Sequence, residues 1–187
     1  MVADSYWNAQ KYLDQLSISW SETENSNVSS DRLYEQFSAD IDTAISSKQL
    51  ESDIEEGDTA QAVSQSKEVI EAVYKVPFLA HACMEPMNAT VSINEEGCQI
   101  WTGTQNPLGL RNDVAKAIEL EPHQVKVNQH FMGGGFGRRA FTDFAVQAAL
   151  IAKQVKQPIK VIWSRPEDIQ HDLYRPAVVS KFRASLD

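Results

Sequence analysis

Four of the eight glycines in this 187-residue chain lie within five positions, in the stretch FMGGGFGRR at residues 131–139. An alternating apolar run precedes this stretch, and a helical pattern follows it. Glycine allows a positive φ and a close approach of backbone to ligand, so successive N–H groups can form an anion-binding concavity at the helix start. Arg138 and Arg139 follow the glycines and can reach a phosphate as bidentate donors. The stretch therefore predicts an anion-binding loop.

The common glycine motifs do not fit these residues. A dinucleotide-binding fingerprint beginning at Gly133 needs a glycine where Arg138 stands, and a P-loop needs Lys and Ser or Thr after its last glycine. Phe136, between two glycines, either plugs a core or lies along a flat ligand. The alternative is a tight turn whose glycines let the following helix pack closely on the strand.

A second stretch, HACMEPM at residues 81–87, carries a histidine and a carboxylate four positions apart. This spacing resembles that of metal ligands on a helix. Pro86 argues against a continuing helix, and no third ligand lies nearby in the sequence. The favoured interpretation is a turn in which His81 and Glu85 are buried and paired, or in which Glu85 faces a cleft.

A third stretch, WTGTQNP at residues 101–107, follows a predicted strand and leads into a predicted helix that begins near Pro107. Gln105 lies at this strand-to-helix junction, where binding groups gather in α/β layers. Its amide offers both donors and an acceptor. The alternative is that Thr104 and Asn106 only cap the helix, and residue type alone favours that alternative.

Composition limits the remaining possibilities. No apolar run approaches the length of a membrane span, and the N-terminus lacks the pattern of a signal peptide. Cys83 and Cys98 are too few for a disulfide framework. The other histidines stand alone, and Ser, His and Asp form no recognisable nucleophilic triad.

Charge is distributed unevenly along the chain. Residues 1–75 hold 15 acidic and 5 basic side chains, a net charge of −10, whereas residues 76–187 hold 11 and 12, a net of +1. We therefore expect a solvated, acidic N-terminal part and chemistry in the near-neutral part. No basic stripe with interleaved aromatic residues supports binding to nucleic acid.

Periodicity predicts helices first, and then strands that alternate with helices. The fold class predicted is α+β, with mixed α/β layers. The predicted domains are a helical, acidic segment over 1–66 and an α/β region over 67–187 that contains the glycine loop at 133–139. The predicted helices cover 3–16, 31–46, 59–66, 108–120 and 141–155, with another starting at 164. The predicted strands cover 18–20, 69–76, 89–93, 98–101, 125–131, 159–163 and 177–182, and the turn at 94–97 predicts a hairpin.

The three stretches, in this order and at about this spacing, resemble the molybdenum-cofactor-binding subunit of the xanthine oxidase family. The double arginine, with IWSRPED at 162–168 and YRP at 174–176, makes the sequence most similar to the branch of isoquinoline 1-oxidoreductase beta subunits and membrane-associated aldehyde dehydrogenases. The N-terminal residues 2–9 also fit that branch. The resemblance is strongest over 74–176 and weakest over 21–57.

The resemblance implies part of the molybdenum-cofactor-binding domain of a molybdenum hydroxylase. Such a subunit binds molybdopterin, in bacteria often as its cytosine dinucleotide, and oxidises N-heteroaromatics or aldehydes with oxygen from water. Gln105 matches the glutamine that hydrogen-bonds an apical molybdenum oxygen, and Phe136 and Gly137 match loop residues beside the metal. Arg138 is expected to reach the pterin or its phosphate, and no residue is expected to bind the metal directly. The cofactor-binding residues implied are Gln105, Gly133, Gly134, Gly135, Phe136, Gly137 and Arg138.

The sequence departs from the family pattern in one respect. The family's general base is a glutamate near the end of a much longer subunit; no residue here matches it, and Glu85 lies in a different motif. We therefore expect an internal fragment that is inactive alone. The resemblance implies a partner subunit with two [2Fe-2S] clusters, the rest of the large subunit, a membrane cytochrome as a further partner, and a periplasmic or membrane-associated location. The rival hypotheses are a non-catalytic anion- or nucleotide-binding module and a purely structural domain.

Overall fold

The computed structural model describes residues 1–186. Six helices and six strands alternate irregularly along the chain, which confirms the mixed α and β class. The helices are α1 (Tyr6–Leu13), α2 (Ser30–Ser47), α3 (Thr59–Gln65), α4 (Pro107–Ile118), α5 (Asp143–Val155) and α6 (Arg165–Gln170). The strands are β1 (Glu68–Val76), β2 (Asn88–Asn94), β3 (Gly97–Thr102), β4 (Val125–Gln129), β5 (Ile159–Ile162) and β6 (Val178–Leu186).

The chain divides into two units. Residues 1–16 and 80–175 form one, here called the core unit, and residues 17–79 with the chain from 176 onward form the other, the ribbon unit. These boundaries differ from the predicted division at 66/67, because β1 pairs with β6, which begins 102 positions after the end of β1, and both strands join the ribbon unit. Among residues 1–186, no helix has the length and apolar character that crossing a bilayer requires.

The core unit is built on a four-stranded sheet with the order β4-β3-β2-β5. β2 and β3 form the predicted antiparallel hairpin, while β3 and β4 run parallel because α4 connects them. α4 and α5 pack on this sheet and on each other. The helix faces turned to the sheet, with Val114, Phe144 and Ala148, are fully buried, so the sheet and these two helices make one hydrophobic core.

Side-chain caps fix where the helices begin. Ser5, Asp58 and Asn106 each accept a backbone hydrogen bond at the start of α1, α3 and α4, and Pro107 occupies the first turn of α4. These side chains, with Pro107, set the first residues of α1, α3 and α4.

The ribbon unit contains a single two-stranded antiparallel pair. β1 and β6 pair over nine residues each, from Glu68 opposite Leu186 to Val76 opposite Val178. Lys181 forms an ion pair with Asp42 of α2, which places this helix on the ribbon. None of the described side chains of this unit is fully buried.

Most predicted elements are present with ends shifted by a few residues, but one is wrong. Residues 18–20 form no strand, because three alternating residues find no partner strand in the described chain. The predicted strand 125–131 ends at Gln129, where the backbone turns into the glycine loop. The helix predicted from 141 begins at Asp143, because Arg138–Ala140 forms a separate turn of 3-10 helix first.

Candidate cofactor-binding site

Arg139 connects the three stretches singled out in the sequence. Its side chain is fully buried. Nε donates to the carbonyl of Gly134 at 3.0 Å, and one terminal nitrogen donates to the carbonyl of Gly103 at 3.1 Å. The other terminal nitrogen donates to the carbonyls of Glu85 at 2.9 Å and Pro86 at 3.2 Å. The guanidinium therefore stabilises the meeting point of the loops around residues 85, 103 and 134 and is not free to bind a phosphate.

Glu85 fixes the glycine loop from the other side. Its Oε2 accepts the N–H of Gly133 at 2.7 Å and lies 3.1 Å from a nitrogen of Arg139, and its Oε1 accepts from Asn88 at 2.8 Å. Burial opposes ionisation of this carboxyl, but the hydrogen bonds from Asn88 and Gly133 and the charge of Arg139 outweigh it and lower its pKa. Glu85 therefore holds the loop in place as a charged carboxylate. The predicted pairing of Glu85 with His81 is not formed.

The glycine loop has little room for side chains. A Cβ on Gly133 would lie 2.5 Å from Cβ of Glu85, and one on Gly135 would lie 2.6 Å from Oε1 of Gln105. Gly134 and Gly137 have φ values of +100° and +102°, and Phe136 between them has +51°. The glycines therefore meet two needs, a close approach to the other two stretches and a backbone conformation that side chains disfavour.

Gln105 lies against this loop through both backbone and side chain. Its backbone N–H donates to the carbonyl of Arg139 at 3.0 Å, and its Oε1 accepts the N–H of Gly137 at 3.1 Å. The residue is exposed, and its Nε2 donates to no acceptor within residues 1–186. The side-chain amide is therefore held by its oxygen with two N–H donors available. Thr104 and Asn106 have other tasks: Thr104 donates to the carbonyl of Arg139, and Asn106 caps α4.

Arg138 is buried and forms ion pairs inside the protein. Its two terminal nitrogens donate to the two carboxylate oxygens of Asp143 at 2.9 and 2.8 Å, and its guanidinium lies 5.5 Å from the ring centre of Trp163. Nε lies 3.1 Å from Oδ1 of Asp172; the angle is not that of a hydrogen bond, so the contact is electrostatic. Burial opposes the charge, but the hydrogen bond and charge of Asp143, with Asp172, raise the pKa of Arg138.

His81 belongs to the same buried network. Its Nδ1 lies 3.0 Å from Oδ1 of Asp172, whose carboxylate also accepts the backbone N–H of His81. The metal site that the spacing of His81 and Glu85 resembles is not formed, because these side chains contact different partners. Residues 1–186 hold no group of three or more His, Cys, Asp and Glu placed to bind a metal.

Two residues that contact the loops of this site were not singled out by the sequence analysis. Cys83 donates its buried thiol to the carbonyl of Gly135 at 3.3 Å, and Arg165 donates to the carbonyls of Cys83 and Met84 while pairing with Asp168 at 2.8 Å. Burial raises the pKa of the Cys83 thiol. The RPED pattern at 165–168 marked a helix start, but nothing in the sequence shows that Arg165 reaches back 82 residues to the 81–87 loop.

The geometry brings the three stretches into one site. In comparison with known proteins, the sequence model of the molybdopterin cofactor-binding domain matches residues 42–187. The chain belongs to this domain family. The resemblance to the molybdopterin-binding subunits of the xanthine oxidase family is therefore confirmed, whereas the roles assigned to single site residues stay predictions.

Two curated relatives are subunits of named oxidoreductases. The chain is 33% identical over 132 residues to the aldehyde oxidoreductase molybdenum-binding subunit PaoC of Escherichia coli O157:H7, which covers 70% of this chain and 18% of PaoC. It is 31% identical over 115 residues to the isoquinoline 1-oxidoreductase subunit beta of Brevundimonas diminuta, covering 61% of this chain and 14% of that subunit. The chain thus spans less than a fifth of the length of these relatives.

A solved structure agrees on the fold. Quinoline 2-oxidoreductase from Pseudomonas putida 86 superposes with a TM-score of 0.61 at 21% identity, covering 70% of this chain and 17% of that chain. The predicted fold, the molybdenum-cofactor-binding domain of molybdenum hydroxylases, is confirmed.

The loop geometry fits a molybdopterin. Within residues 1–186, the N–H groups of Gly134, Gly135 and Phe136 donate to no acceptor, and all three residues are at least partly exposed. The Phe136 side chain is 65% exposed, so its ring does not plug the core. Free backbone donors, an exposed ring and the free amide of Gln105 lie together, which suits a flat, hydrogen-bonding cofactor with anionic groups.

Proposed function

We propose that this chain is the part of a molybdenum hydroxylase large subunit that holds molybdopterin, in its cytosine dinucleotide form. One observation carries the proposal: the Gly137 N–H holds the Gln105 amide by its oxygen at 3.1 Å, which leaves its N–H donors free beside an exposed glycine loop. A glutamine anchored in this way offers a fixed donor to an oxygen atom, as the proposed role beside molybdenum requires.

The backbone is proposed to supply the remaining contacts to the cofactor. The free N–H groups of Gly134, Gly135 and Phe136 hydrogen-bond polar cofactor atoms, and the exposed ring of Phe136 lies along the flat cofactor. Gly133 allows the close approach to Glu85, and Gly137, with its positive φ, provides the turn geometry of this cradle. Arg138 is engaged with Asp143 and Asp172, so any contribution it makes to the cofactor is through the position of the loop.

The bound cofactor supplies the redox chemistry, and this chain supplies its position and field. The substrates proposed are N-heteroaromatics or aldehydes, which are hydroxylated with oxygen from water; the names of the isoquinoline and aldehyde oxidoreductase relatives support this choice. We further propose that the chain functions together with the rest of its large subunit, a partner subunit with two [2Fe-2S] clusters and a membrane cytochrome. The proposed location is periplasmic or membrane-associated.

The first test measures molybdenum and released nucleotide in the native complex that contains this chain. We expect about one molybdenum per large subunit, the usual stoichiometry of a single cofactor site, and cytidine monophosphate on acid treatment. If complex purified from molybdate-fed cells contains no molybdenum, the proposal is refuted. A non-catalytic anion-binding module would then explain the free N–H groups. Molybdenum without cytidine monophosphate would refute only the dinucleotide form.

A second test removes the anchored amide. Gln105→Ala in the native complex should retain molybdenum and lower kcat by roughly 100-fold, the usual effect of deleting one preorganised donor. The matched control is Gln99→Ala, because Gln99 lies exposed on β3 away from the loop. If turnover by Gln105→Ala equals that of the control, Gln105 has no role beside the metal.

A third test separates cofactor binding from close packing. Gly135→Ala would place a methyl group 2.6 Å from Oε1 of Gln105, so the amide must move although the core of α4 and α5 is untouched. We expect a folded complex with a lower molybdenum content. Loss of folding together with molybdenum would favour the purely structural role for the glycines.

A further inference from the structure

His81 keeps one ring nitrogen unused. Its Nδ1 contacts both carboxylate oxygens of Asp172, at 3.0 and 3.1 Å, and its backbone N–H donates to the same carboxylate. A carboxylate can only accept, so Nδ1 donates to Asp172, and in the tautomer with its proton on Nδ1 the ring presents Nε2 as an acceptor. Nε2 has no hydrogen-bond partner within residues 1–186. Only 9% of the side chain is exposed, but Nε2 is not among the fully buried polar atoms of these residues, so the exposed part of the ring includes this nitrogen.

This free nitrogen lies beside the glycine loop. A Cβ built on Gly137 would lie 3.7 Å from Nε2, and no other atom outside the immediate chain neighbours comes within 4 Å of that position. The space over Gly137 is therefore open, with Nε2 at its edge. The N–H of the same glycine holds Gln105, so His81 and Gln105 approach one residue from two directions.

The imidazole is held rigidly. Asp172, whose side chain is 2% exposed, also accepts the backbone N–H of Leu173 at 2.8 Å and lies 3.1 Å from Nε of Arg138. Arg138 is fixed in turn by its two hydrogen bonds to Asp143. A carboxylate that orients a histidine through Nδ1 and leaves Nε2 free is the arrangement that proteins use to present a ring nitrogen to a ligand.

A purely structural role does not account for Nε2. The contacts that fasten the 81–87 loop use only Nδ1 and the backbone N–H of His81. An asparagine amide could also donate to Asp172, so neither of these contacts requires a second ring nitrogen. The additional nitrogen is explained if a ligand pairs with it.

We propose that His81 is a binding residue of this site, and that its Nε2 accepts a hydrogen bond from an N–H or O–H donor placed over Gly137. This inference rests on the proposed function. The donor is either a group of the bound cofactor or a water molecule that enters with the substrate, and the experiment distinguishes these two sources.

The main test is His81→Asn in the native complex. Asparagine can still donate to Asp172 from about the position of Nδ1 but has nothing in place of Nε2. A donor on the cofactor predicts a molybdenum content several-fold below that of the wild type, whereas a water molecule predicts full molybdenum and a kcat/KM lowered roughly tenfold, as for one lost hydrogen bond. His123→Asn is the matched control, because His123 is exposed in the turn before β4 and should change neither quantity.

A measurement on the unmutated complex covers the case in which His81→Asn fails to fold. Diethyl pyrocarbonate acylates an accessible, unprotonated imidazole nitrogen, and peptide mapping locates the adduct. In molybdenum-free complex from molybdate-starved cells, we expect His81 to react. Protection in loaded complex identifies a cofactor donor, and reaction in both forms identifies an exchangeable water.

The contrary outcomes are distinct. The role of His81 is overturned, and the proposed function left standing, if the wild-type complex contains molybdenum and a folded His81→Asn variant matches it in molybdenum content and kcat/KM. Failure of His81 to react in either form would also overturn it. Wild-type complex without molybdenum would overturn the proposed function and this inference together.

Discussion

The core unit and the ribbon unit use apolar residues in opposite ways. Every fully buried side chain among residues 1–186 lies between residues 83 and 172, in the core unit. In the ribbon unit, β1 and β6 expose Ile70, Tyr74 and Phe182 by 49%, 60% and 59%. Both units contain paired strands and helices, so secondary structure alone does not make a core.

The difference follows from the number of layers. In the core unit, β2 and β3 each have two neighbouring strands, and two helices cover the sheet, so branched and small side chains are removed from water. A pair of strands with no third neighbour buries little apolar surface and is marginal by itself. The core unit also carries the glycine loop, and the proposed cofactor role of that loop needs donors held in place by packing.

The sharpest contrast between the units is expected from two arginine variants. Arg139→Met removes a buried guanidinium that donates to four carbonyls and pairs with Glu85, so the free energy of unfolding should fall by about 3–5 kcal/mol. Arg183→Met removes an exposed ion pair with Glu71 and should cost under about 1 kcal/mol. Urea unfolding measures both values, and equal losses would contradict the contrast.

The next largest difference is expected in the hydrogen-exchange rates of the two sheets. Amide protons of β3, a central strand with buried residues, should exchange roughly 100-fold more slowly than those of β1, whose only partner is β6. Mass spectrometry of peptides from 97–102 and 68–76 gives the comparison. Similar protection of both strands would show that the ribbon unit is as stable as the core unit.

A pair of glycine variants tests the same contrast in loops. Gly133→Ala forces a methyl group to 2.5 Å from Cβ of Glu85 and should cost up to about 3 kcal/mol. Gly57→Ala in the ribbon unit meets no atom within 4 Å, and only its φ of +70° opposes the change, at a cost of about 1 kcal/mol. Thermal unfolding should therefore rank Gly133→Ala as the less stable variant; the reverse order would be inconsistent with a tightly packed loop.

The smallest expected effect concerns Glu85 and pH. Its pKa is lowered in the folded protein from an ordinary value of 4.5, so the unfolded chain binds more protons near that pH, and the carboxylate stabilises the fold above it. The stability difference between wild type and Glu85→Gln should be constant above pH 4.5 and shrink as the pH falls further. The side chain is 35% exposed, so the difference should stay near about 1 kcal/mol. A difference that grows in acid would refute the assignment.

The sequence predicted the fold class and most of the elements. Helical spacing of Leu33, Phe37 and Ile41 located α2, and the Asn94–Gly97 turn located the hairpin of β2 and β3. The error at residues 18–20 has a physical cause, since alternation over three residues does not provide a partner strand. The pairing of β1 with β6 could not be read from the sequence, because strand register depends on contacts that no local pattern encodes.

For the site, the residue types and their order were enough to group the three stretches and to connect them with the molybdopterin cofactor-binding family. The roles of the charged residues were not predictable in this way. Arg138 and Arg139 follow an anion-binding loop and were expected to face a phosphate. Both are instead buried: Arg138 is paired with Asp143 nearby and with the distant Asp172, and Arg139 donates to carbonyls of the distant loops around residues 85 and 103.

The sequence by itself therefore determined which backbone forms the site: four glycines allow a loop that other residues cannot form, and a strand-to-helix junction supplies Gln105. Only the tertiary structure decided which polar groups remain free. Arg139, Arg138 and Glu85 are used within the protein, whereas the Gln105 amide and Nε2 of His81 are not. The physical reason is that burial forces each polar group to find a partner, and the identity of that partner depends on packing between distant segments.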